Sequence, residues 1–218
     1  MATDKQKQKI VEAFLARLAT GSFQDVALAD VATDAAVTLP QLREAFDGRL
    51  AIYAEYLRRV DREVLAGVDA ALADEPVRER LLDVLMRRFD VIAPQKAAVR
   101  AMRDSTRRDP LLGLAVAGLL ATSMRWMLIA GGVDRAGLQG AVRAHGLLAV
   151  WSRALDVWLD DEDPGLAATM VAVDKGLRRG DQLLGIAGGM MSCAERIAGR
   201  GRRREKPVAA EGTVGEGI

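Results

Sequence analysis

The stretch from residue 21 to residue 49 constrains the fold of this chain more than any other, because two short apolar repeats flank a tight break in it. The spacing before the break predicts a helix over residues 27–34, and the spacing after it predicts a second helix over residues 40–46. Thr38 is placed to cap the second helix, and Pro40 is tolerated in its first turn. Two helices joined by three or four residues form the helix-turn-helix arrangement, whose second helix can enter the major groove of DNA.

This stretch, together with the apolar helix predicted before it, resembles the DNA-binding domain of the TetR family of one-component transcriptional regulators. The resemblance covers about residues 5–60 and consists of G-x-F, L-x-D-V-A and L-x-x-x-F motifs followed by a basic residue. The residues at these positions are Gly21, Phe23, Leu28, Asp30, Val31, Ala32, Leu42, Phe46 and Arg49. The resemblance implies a three-helix DNA-binding head, a helical body that binds a small effector, and a dimer formed through the last two long helices.

The sequence departs from the pattern of the family in three places. Ala27 stands where Ser or Thr usually caps the middle helix, and Ala36 stands where glycine is usual in the turn. Arg43 and Glu44 replace an aromatic residue often found early in the recognition helix. Residues 1–50 hold six basic and seven acidic residues, a net charge of −1. Most of the non-specific affinity for DNA comes from basic side chains that neutralise phosphates. A net charge of −1 in this segment is therefore unfavourable for DNA binding.

The composition predicts an all-α protein with a core of Ala, Leu and Val, because 50% of the residues are hydrophobic and only 4% are aromatic. With 31 basic and 30 acidic residues, the chain has no overall field to attract nucleic acid or membrane. The single cysteine, Cys193, excludes an intramolecular disulfide and fits a reducing cytoplasm. The longest uncharged run, over residues 110–124, is shorter than the roughly 20 residues that span a bilayer. We therefore expect a soluble cytoplasmic protein.

Breaks rich in proline, glycine and acidic residues divide the chain into about nine predicted helices. The first carries Ile10, Phe14 and Leu18 on one apolar stripe, and an apolar helix of the body is predicted to open at Asp109-Pro110 and to stop at Gly131-Gly132. We predict a helix-turn-helix head over residues 1–49, a connecting helix over residues 50–73 and a helical bundle over residues 74–190 that binds an effector and dimerises. Residues 191–218 have little apolar surface to bury and are predicted to be a disordered tail.

The sequence holds no recognisable catalytic or metal-binding motif. His145 is the only histidine, so no histidine metal cluster or histidine acid–base pair can form. Cys193 has no partner of the kind that a nucleophile requires. The glycine pairs lack the preceding strand and the spacing of a phosphate-binding loop. We predict that the protein is not an enzyme and uses no metal or cofactor.

The candidate DNA-binding residues lie in and around the helix-turn-helix. We expect Thr38, Leu39, Gln41 and Arg43 to face the bases or the groove edge. Gln41 and Arg43 carry side chains that can make bidentate contacts with bases. Arg49 and Lys9 are expected to hold phosphates.

The body contains methionine and aromatic residues on neighbouring predicted helices, which suit an adaptable apolar pocket for a small effector. These candidates are Met86, Phe89, Met102, Met124, Trp126 and Met127. The alternative is that they fill gaps in the core. The candidate dimer seam is a stripe on the helix predicted over residues 135–159, formed by Leu147, Trp151, Leu155 and Trp158. The same stripe fits the core of a single subunit equally well.

The carboxyl half also resembles a second group of proteins over residues 151–174, namely the ubiquinone-biosynthesis accessory proteins that use the TetR fold to bind lipid instead of DNA. Under that resemblance, residues 183–204 would form a membrane-binding element. The first hypothesis is a homodimeric repressor that binds a double-stranded DNA operator and is released by a small apolar ligand. The alternative is a lipid-binding protein that acts at a membrane surface.

Overall fold

The chain is all-helical over residues 3–180, the part that the computed structural model describes. The predicted fold class is confirmed, because these residues form about nine helices and no strand. In chain order the helices are α1 (Asp4–Ala19), α2 (Leu28–Asp34), α3 (Leu39–Ala45), α4 (Arg49–Ala66), α5 (Val77–Ile92), α6 (Lys96–Arg108), α7 (Pro110–Ala130), α8 (Gly137–Asp160) and α9, which begins at residue 167 and reaches the end of the described range.

Two predicted segments lie outside the described residues. They are the disordered tail over residues 191–218 and the membrane-binding element over residues 183–204. Residues 1–178 form one compact unit, so the predicted head and most of the predicted body belong to the same unit. The domain boundaries drawn from the sequence stay predictions.

α1 is the central helix of the head. Ile10, Phe14 and Leu18 form the stripe predicted from the sequence, and each is 1% exposed or less. Because these residues repeat every four positions, they present one continuous apolar face. α1 contacts α2, α4 and α6, so it joins the helix-turn-helix to the rest of the chain.

Arg17 fixes α2 against α1 through two carboxylates. Its guanidinium donates to Asp34 from Nε at 2.6 Å and to Asp30 at 3.1 Å. The hydrogen bond from Arg17 lowers the pKa of Asp34 below its ordinary value. Two of the seven acidic residues in the first 50 positions are therefore ion-paired within the head.

The turn between α2 and α3 contains a left-handed residue, Ala36, with a φ of 53°. The backbone there closes α2, because Val37 donates its N–H to the carbonyl oxygen of Ala32 at 3.0 Å. A residue with a Cβ atom is strained by roughly 1–2 kcal/mol in this conformation. This is the position at which the sequence has alanine instead of the glycine usual in the TetR family.

The long connecting helix is shorter than the sequence indicates. The apolar spacing predicts a helix to Leu72, but α4 ends at Ala66 with Gly67 as its C-cap. Glycine at this point ends the helix because it loses the most conformational freedom in a regular helix. A separate 3-10 turn, Ala70–Leu72, follows.

α7 lies in the middle of the body, where it contacts α4, α5, α6 and α8. It begins at the predicted Asp109-Pro110 cap and ends before the predicted Gly131-Gly132 pair. With 21 residues and a mean hydropathy of 1.6, α7 is the one described helix that is long and apolar enough to cross a membrane. The uncharged run over residues 110–124 is shorter than this helix because Arg125 interrupts it. Of its most apolar stretch, 33% is buried, and α7 packs against the four helices named above.

The strain at Ala36 leads to a stability prediction. Ala36→Gly is expected to raise the free energy of unfolding by about 0.5–1 kcal/mol, because glycine relieves the left-handed strain but gains freedom in the unfolded chain. Urea titration followed by circular dichroism measures the change. The control is Ala35→Gly, one residue earlier, where φ is −77°. That substitution should lower the free energy of unfolding, and a gain at both positions would contradict the assignment of strain to Ala36.

Candidate DNA-binding surface and effector cavity

α3 is held in place by one buried side chain, Leu42, and by Phe46 directly after its last turn. Its remaining side chains from Leu39 to Glu44 are exposed, including Gln41 and Arg43. Four predicted base-contacting residues therefore lie at the surface of the helix-turn-helix, since Thr38 is also exposed. Leu39 is 53% exposed at the first position of α3, where an apolar side chain can contact a thymine methyl group.

The N-terminus of α3 is closed by a reciprocal capping box. The backbone N–H of Gln41 donates to the Thr38 hydroxyl at 3.3 Å, and the backbone N–H of Thr38 donates to Gln41 Oε1 at 2.8 Å. A bidentate contact of glutamine with adenine uses both the amide oxygen and the amide nitrogen. The capping bond occupies the amide oxygen of Gln41. Only the N–H groups of its Nε2 are left for a contact with a base.

Arg43 lies in the last turn of α3 and forms an ion pair with Asp47 at 2.6 Å. Both side chains are exposed, at 72% and 88%. Exposed ion pairs of this kind contribute roughly 0.2–1 kcal/mol. Arg43 can therefore leave Asp47 for a guanine or a phosphate at a small cost.

The two predicted phosphate contacts differ in their surroundings. Lys9 is exposed on α1. Arg49 instead donates to the carbonyl oxygens of Phe23 and Gln24, at 3.1 Å and 2.5 Å, and lies over the Phe23 ring at 5.8 Å. Its guanidinium thus holds the loop between α1 and α2. A phosphate contact by Arg49 stays a prediction, and a substitution there would alter the loop as well.

The same loop connects the head to α6. The backbone N–H of Phe23 donates to the hydroxyl of Ser105 at 3.0 Å, and that hydroxyl donates to the Ala101 carbonyl at 2.8 Å. Ser105 is buried at 1% exposure. Any shift of α6 therefore acts directly on the loop that precedes the helix-turn-helix.

A cavity of about 170 Å³ lies in the body beside α6. Its lining comes from α4, α6, α7 and α8 and includes Tyr53, Val99, Met102, Val116, Leu120 and Leu155. Of its charged residues, Arg103 is engaged by Asp156 through two hydrogen bonds of 2.8 Å. The hydrogen bond from Arg103 holds the pKa of Asp156 below its ordinary range, so this pair stays ionised at neutral pH. The rest of the wall is mainly apolar.

The predicted pocket residues are only partly where the sequence places them. Met102 lines the cavity. Phe89, Met124 and Met127 are fully buried core residues that do not line it, and Met86 is half-buried. Trp126 is 49% exposed on the outer face of α7, so its assignment to the pocket is corrected. Methionine and aromatic spacing indicates burial, but it does not separate a cavity wall from a filled core.

The candidate dimer seam is also corrected. Its four side chains are buried inside the single subunit, with exposures of 1–8%, and they are Leu147, Trp151, Leu155 and Trp158. Trp151 stacks on Phe89 with the ring centroids 4.4 Å apart, and Trp158 lies 5.5 Å from the same ring. The two tryptophans therefore pack on Phe89 of α5, and the stripe belongs to the core of the subunit, as in the alternative that the sequence left open.

A buried polar cluster in the body is absent from the sequence predictions. Asp61 on α4 accepts hydrogen bonds from Arg88 on α5 and from Ser123 on α7. Arg88 is 1% exposed, and its guanidinium lies over the Trp151 ring at 5.1 Å. A signal for this cluster exists in the sequence, because Arg88 occupies a position on the apolar stripe of α5 where a core residue is expected. Tyr56, on α4, lies near Arg88 and is also buried.

Within residues 3–180, no group of three or more His, Cys, Asp and Glu side chains could hold a metal ion. His145 is exposed on α8, with Nδ1 2.8 Å from the carbonyl oxygen of Ala141.

Solved structures of transcriptional regulators have the same fold. A TetR regulator from Nitrosomonas europaea ATCC 19718 matches with a TM-score of 0.63 and 20% identity, over 81% of this chain and 98% of that one. A TetR regulator from Rhodococcus sp. RHA1 matches with a TM-score of 0.55 and 17% identity, over 84% and 97%. A tetR-family regulator from Streptomyces coelicolor matches with a TM-score of 0.53 and 17% identity, over 87% and 85%.

The chain thus has the fold of the TetR family of transcriptional regulators, and the resemblance predicted from its sequence is confirmed at the level of the fold. No family model matches the sequence, and no curated protein matches it. The similar structures named above are regulators, so the lipid-binding alternative gains no support from them.

The buried cluster leads to a prediction about stability. Asp61→Ala leaves the Arg88 charge buried without its carboxylate, and it is expected to lower the free energy of unfolding by about 3–5 kcal/mol. Replacing both residues by apolar ones, Asp61→Leu with Arg88→Met, should recover most of that loss. Urea titration measures both variants.

The matched control is Arg58→Ala, which removes an ion pair with Glu55 on the surface of the same helix. It should change the free energy of unfolding by less than about 1 kcal/mol. A loss for Asp61→Ala as small as that of the control would show that Arg88 reaches water in solution.

Proposed function

We propose that the protein is a TetR-type DNA-binding transcriptional regulator of the cytoplasm, a homodimeric repressor released from its operator by a small ligand. The observation that carries the proposal is the position of α6. It contributes Met102 to the cavity wall and Ser105 to the bond with the loop before the helix-turn-helix. A ligand site and a DNA-binding surface are therefore joined by one rigid element.

In the proposed DNA complex, the exposed face of α3 enters the major groove. Arg43 reads a guanine after leaving Asp47, Leu39 contacts a thymine methyl group, and Gln41 donates from its free amide nitrogen. Lys9 contacts the backbone from α1. These contacts are few and the head is slightly acidic, so a single head would bind weakly. Two heads on a dimer would supply the needed affinity at half-sites about one helical turn apart.

The proposed dimer forms through the exposed stripes of α7 and α8, which we call the α7/α8 face. On α7 it contains Leu111, Leu114, Gly118, Thr122, Trp126 and Ile129. On α8 it contains Leu138, Val142, Gly146 and Ala149. These residues repeat every three or four positions, so each set forms one stripe. Leu111 and Leu138 are 80% and 81% exposed, and exposed apolar stripes of this kind mark interaction sites.

Two glycines support a helix partner for this face. A Cβ atom built at Gly118 or at Gly146 would meet nothing within 4 Å, so neither glycine is required by packing inside the subunit. Small residues at the middle of a stripe allow a second helix to approach closely. Pairing the α7/α8 face with its copy gives a four-helix seam. This seam keeps α8 from the predicted pair of last two long helices, uses α7 in place of the last helix, and moves the contact to the opposite side of α8.

Release follows from the path between cavity and head. A ligand in the cavity contacts the side of α6 that carries Val99, Met102 and Thr106. Binding that favours one position of α6 shifts the Ser105–Phe23 bond and the orientation of the head. The shift in population is limited by the difference in ligand affinity between the two positions of α6.

Arg43→Ala is expected to weaken binding to a specific operator by about 1–3 kcal/mol, the range for one good bidentate base contact. Lys9→Ala should weaken binding to all duplexes alike and lower the salt slope of log K by about one. Gel shifts with DNA from upstream of the gene for this protein, over a range of salt, measure both effects. Arg62→Ala, on the outer face of α4, is the control and should change neither quantity. The absence of any shift at low salt would contradict the regulator.

Leu114→Glu and Val142→Glu are expected to separate the dimer, because each places a charge in the apolar seam without entering the core. Analytical ultracentrifugation at micromolar concentration measures the mass, and circular dichroism checks the fold. Val77→Glu, an exposed apolar position on α5, is the matched control and should leave the dimer intact. Trp151→Glu should unfold the subunit, since Trp151 is 3% exposed in the core. A wild-type monomer, or a dimer unaffected by both seam variants, would contradict the α7/α8 face.

A further inference from the structure

Among the described residues, four buried side-chain donors lack a hydrogen-bond partner, namely the Tyr56 hydroxyl and the Nε–H groups of Arg80, Arg87 and Arg88. Tyr56 and Arg88 are buried residues, whereas Arg80 and Arg87 are half-buried. Tyr56 is 6% exposed and Arg88 is 1% exposed, so neither group is satisfied by bulk water. A buried donor left unpaired costs about 1–3 kcal/mol. Two such donors near each other point to a group that binds between them.

Both residues line one small cell of about 30 Å³. The cell is completed by apolar and aromatic side chains, among them Tyr53, Leu57 and Trp151. Its volume is enough for a single oxygen-bearing group. Burial raises the pKa of Tyr53 to about 12 and shifts the pKa of Tyr56 in the same direction. Both phenols therefore keep their protons at neutral pH, and Tyr56 is available as a donor.

The cell adjoins the larger cavity of about 170 Å³ described above. Four residues belong to the walls of both, namely Tyr53, Val99, Leu120 and Leu155. In the larger cavity Arg103 is held by Asp156, and the Thr106 hydroxyl donates to the Arg103 carbonyl at 2.8 Å. The unpaired donors of Tyr56 and Arg88 thus lie at one end of a space whose other end is mainly apolar.

The charge of the cell is already balanced. Arg88 is paired with Asp61, which also accepts from Ser123. A carboxylate placed at Arg88 Nε would bring a second negative charge beside Asp61 in a buried site, which is unfavourable. A neutral oxygen acceptor satisfies both donors without disturbing this balance.

We propose that the two cavities together bind a small neutral molecule with one oxygen acceptor, such as a carbonyl group, on an apolar body about the size of one ring. The oxygen accepts from Tyr56 and Arg88 in the cell, and the apolar body fills the larger cavity. A cavity of about 150 Å³ holds benzene, which sets the size of the body. The identification of this molecule as the ligand that releases the protein from DNA rests on the proposed function.

Three probes of nearly equal size test the proposal by isothermal titration calorimetry on the full chain at pH 7. They are acetophenone, α-methylstyrene, in which a methylene group replaces the carbonyl oxygen, and benzoate. Acetophenone is expected to bind roughly fivefold to tenfold tighter than α-methylstyrene. This ratio corresponds to the net binding free energy of about one hydrogen bond. Benzoate is expected to bind more weakly than acetophenone because of Asp61.

Tyr56→Phe assigns the donor. It should reduce the preference for acetophenone to the part that Arg88 Nε supplies, and it should leave the affinity for α-methylstyrene unchanged. Because it removes an unpaired buried hydroxyl, it should not lower the free energy of unfolding. Thr106→Val is the matched control, since its hydroxyl lines the larger cavity but is already bonded. This control should keep the preference for the ketone.

Equal affinities of the wild type for acetophenone and α-methylstyrene would overturn the proposal. So would tightest binding of benzoate, no binding of any probe, or a full ketone preference in Tyr56→Phe. A gel shift without ligand separates this inference from the proposed function. A protein that binds DNA but shows no ketone preference overturns the inference and keeps the regulator. A protein that prefers the ketone but binds no DNA keeps the inference and overturns the regulator.

Discussion

One buried guanidinium connects the helices of the body. Arg88 on α5 donates a hydrogen bond to Asp61 on α4, and Asp61 also accepts one from Ser123 on α7. The guanidinium of Arg88 lies over the ring of Trp151 on α8. Removing two charges from water costs several kcal/mol per ion, and the hydrogen bonds that Asp61 accepts from Arg88 and Ser123 offset this cost. α4 begins in the head, and this cluster holds its other half against the body. The polar end of the cavity therefore lies at the point where four helices meet.

Apolar periodicity predicted most of the helices, because burial on one face is what makes them stable. The stripe of Ile10, Phe14 and Leu18 and the limits of α7 followed directly from spacing, caps and glycines. The two faces of α8 could not be assigned in this way. Leu138 and Val142 lie on one side and Trp151 and Trp158 on the other, so both sides are apolar and only packing shows which is inside. Spacing along one helix carries no information about its neighbours.

The site was predictable in location and not in detail. The sequence placed the candidate DNA-binding residues on the helix-turn-helix surface, but it could not show that Arg49 would be bonded to the carbonyl groups of Phe23 and Gln24. Contacts between residues 25 positions apart depend on how the head closes. In the body, methionines were a poor guide to the cavity, whereas the charge of Arg88 on an apolar stripe was the informative departure. Buried polar residues need partners, and those partners mark sites.

Under the proposed function, the capping box of α3 limits how operator preference can change during evolution. Gln41 closes the N-terminus of a helix of only seven residues while its amide nitrogen faces outward. Losing a cap costs about 1 kcal/mol, which is a large share of the stability of so short a helix. Leu39 and Arg43 have no such second role in the backbone. Drift toward new operator sequences is therefore freer at Leu39 and Arg43, while Gln41 is restrained by the folding of the element that carries all three.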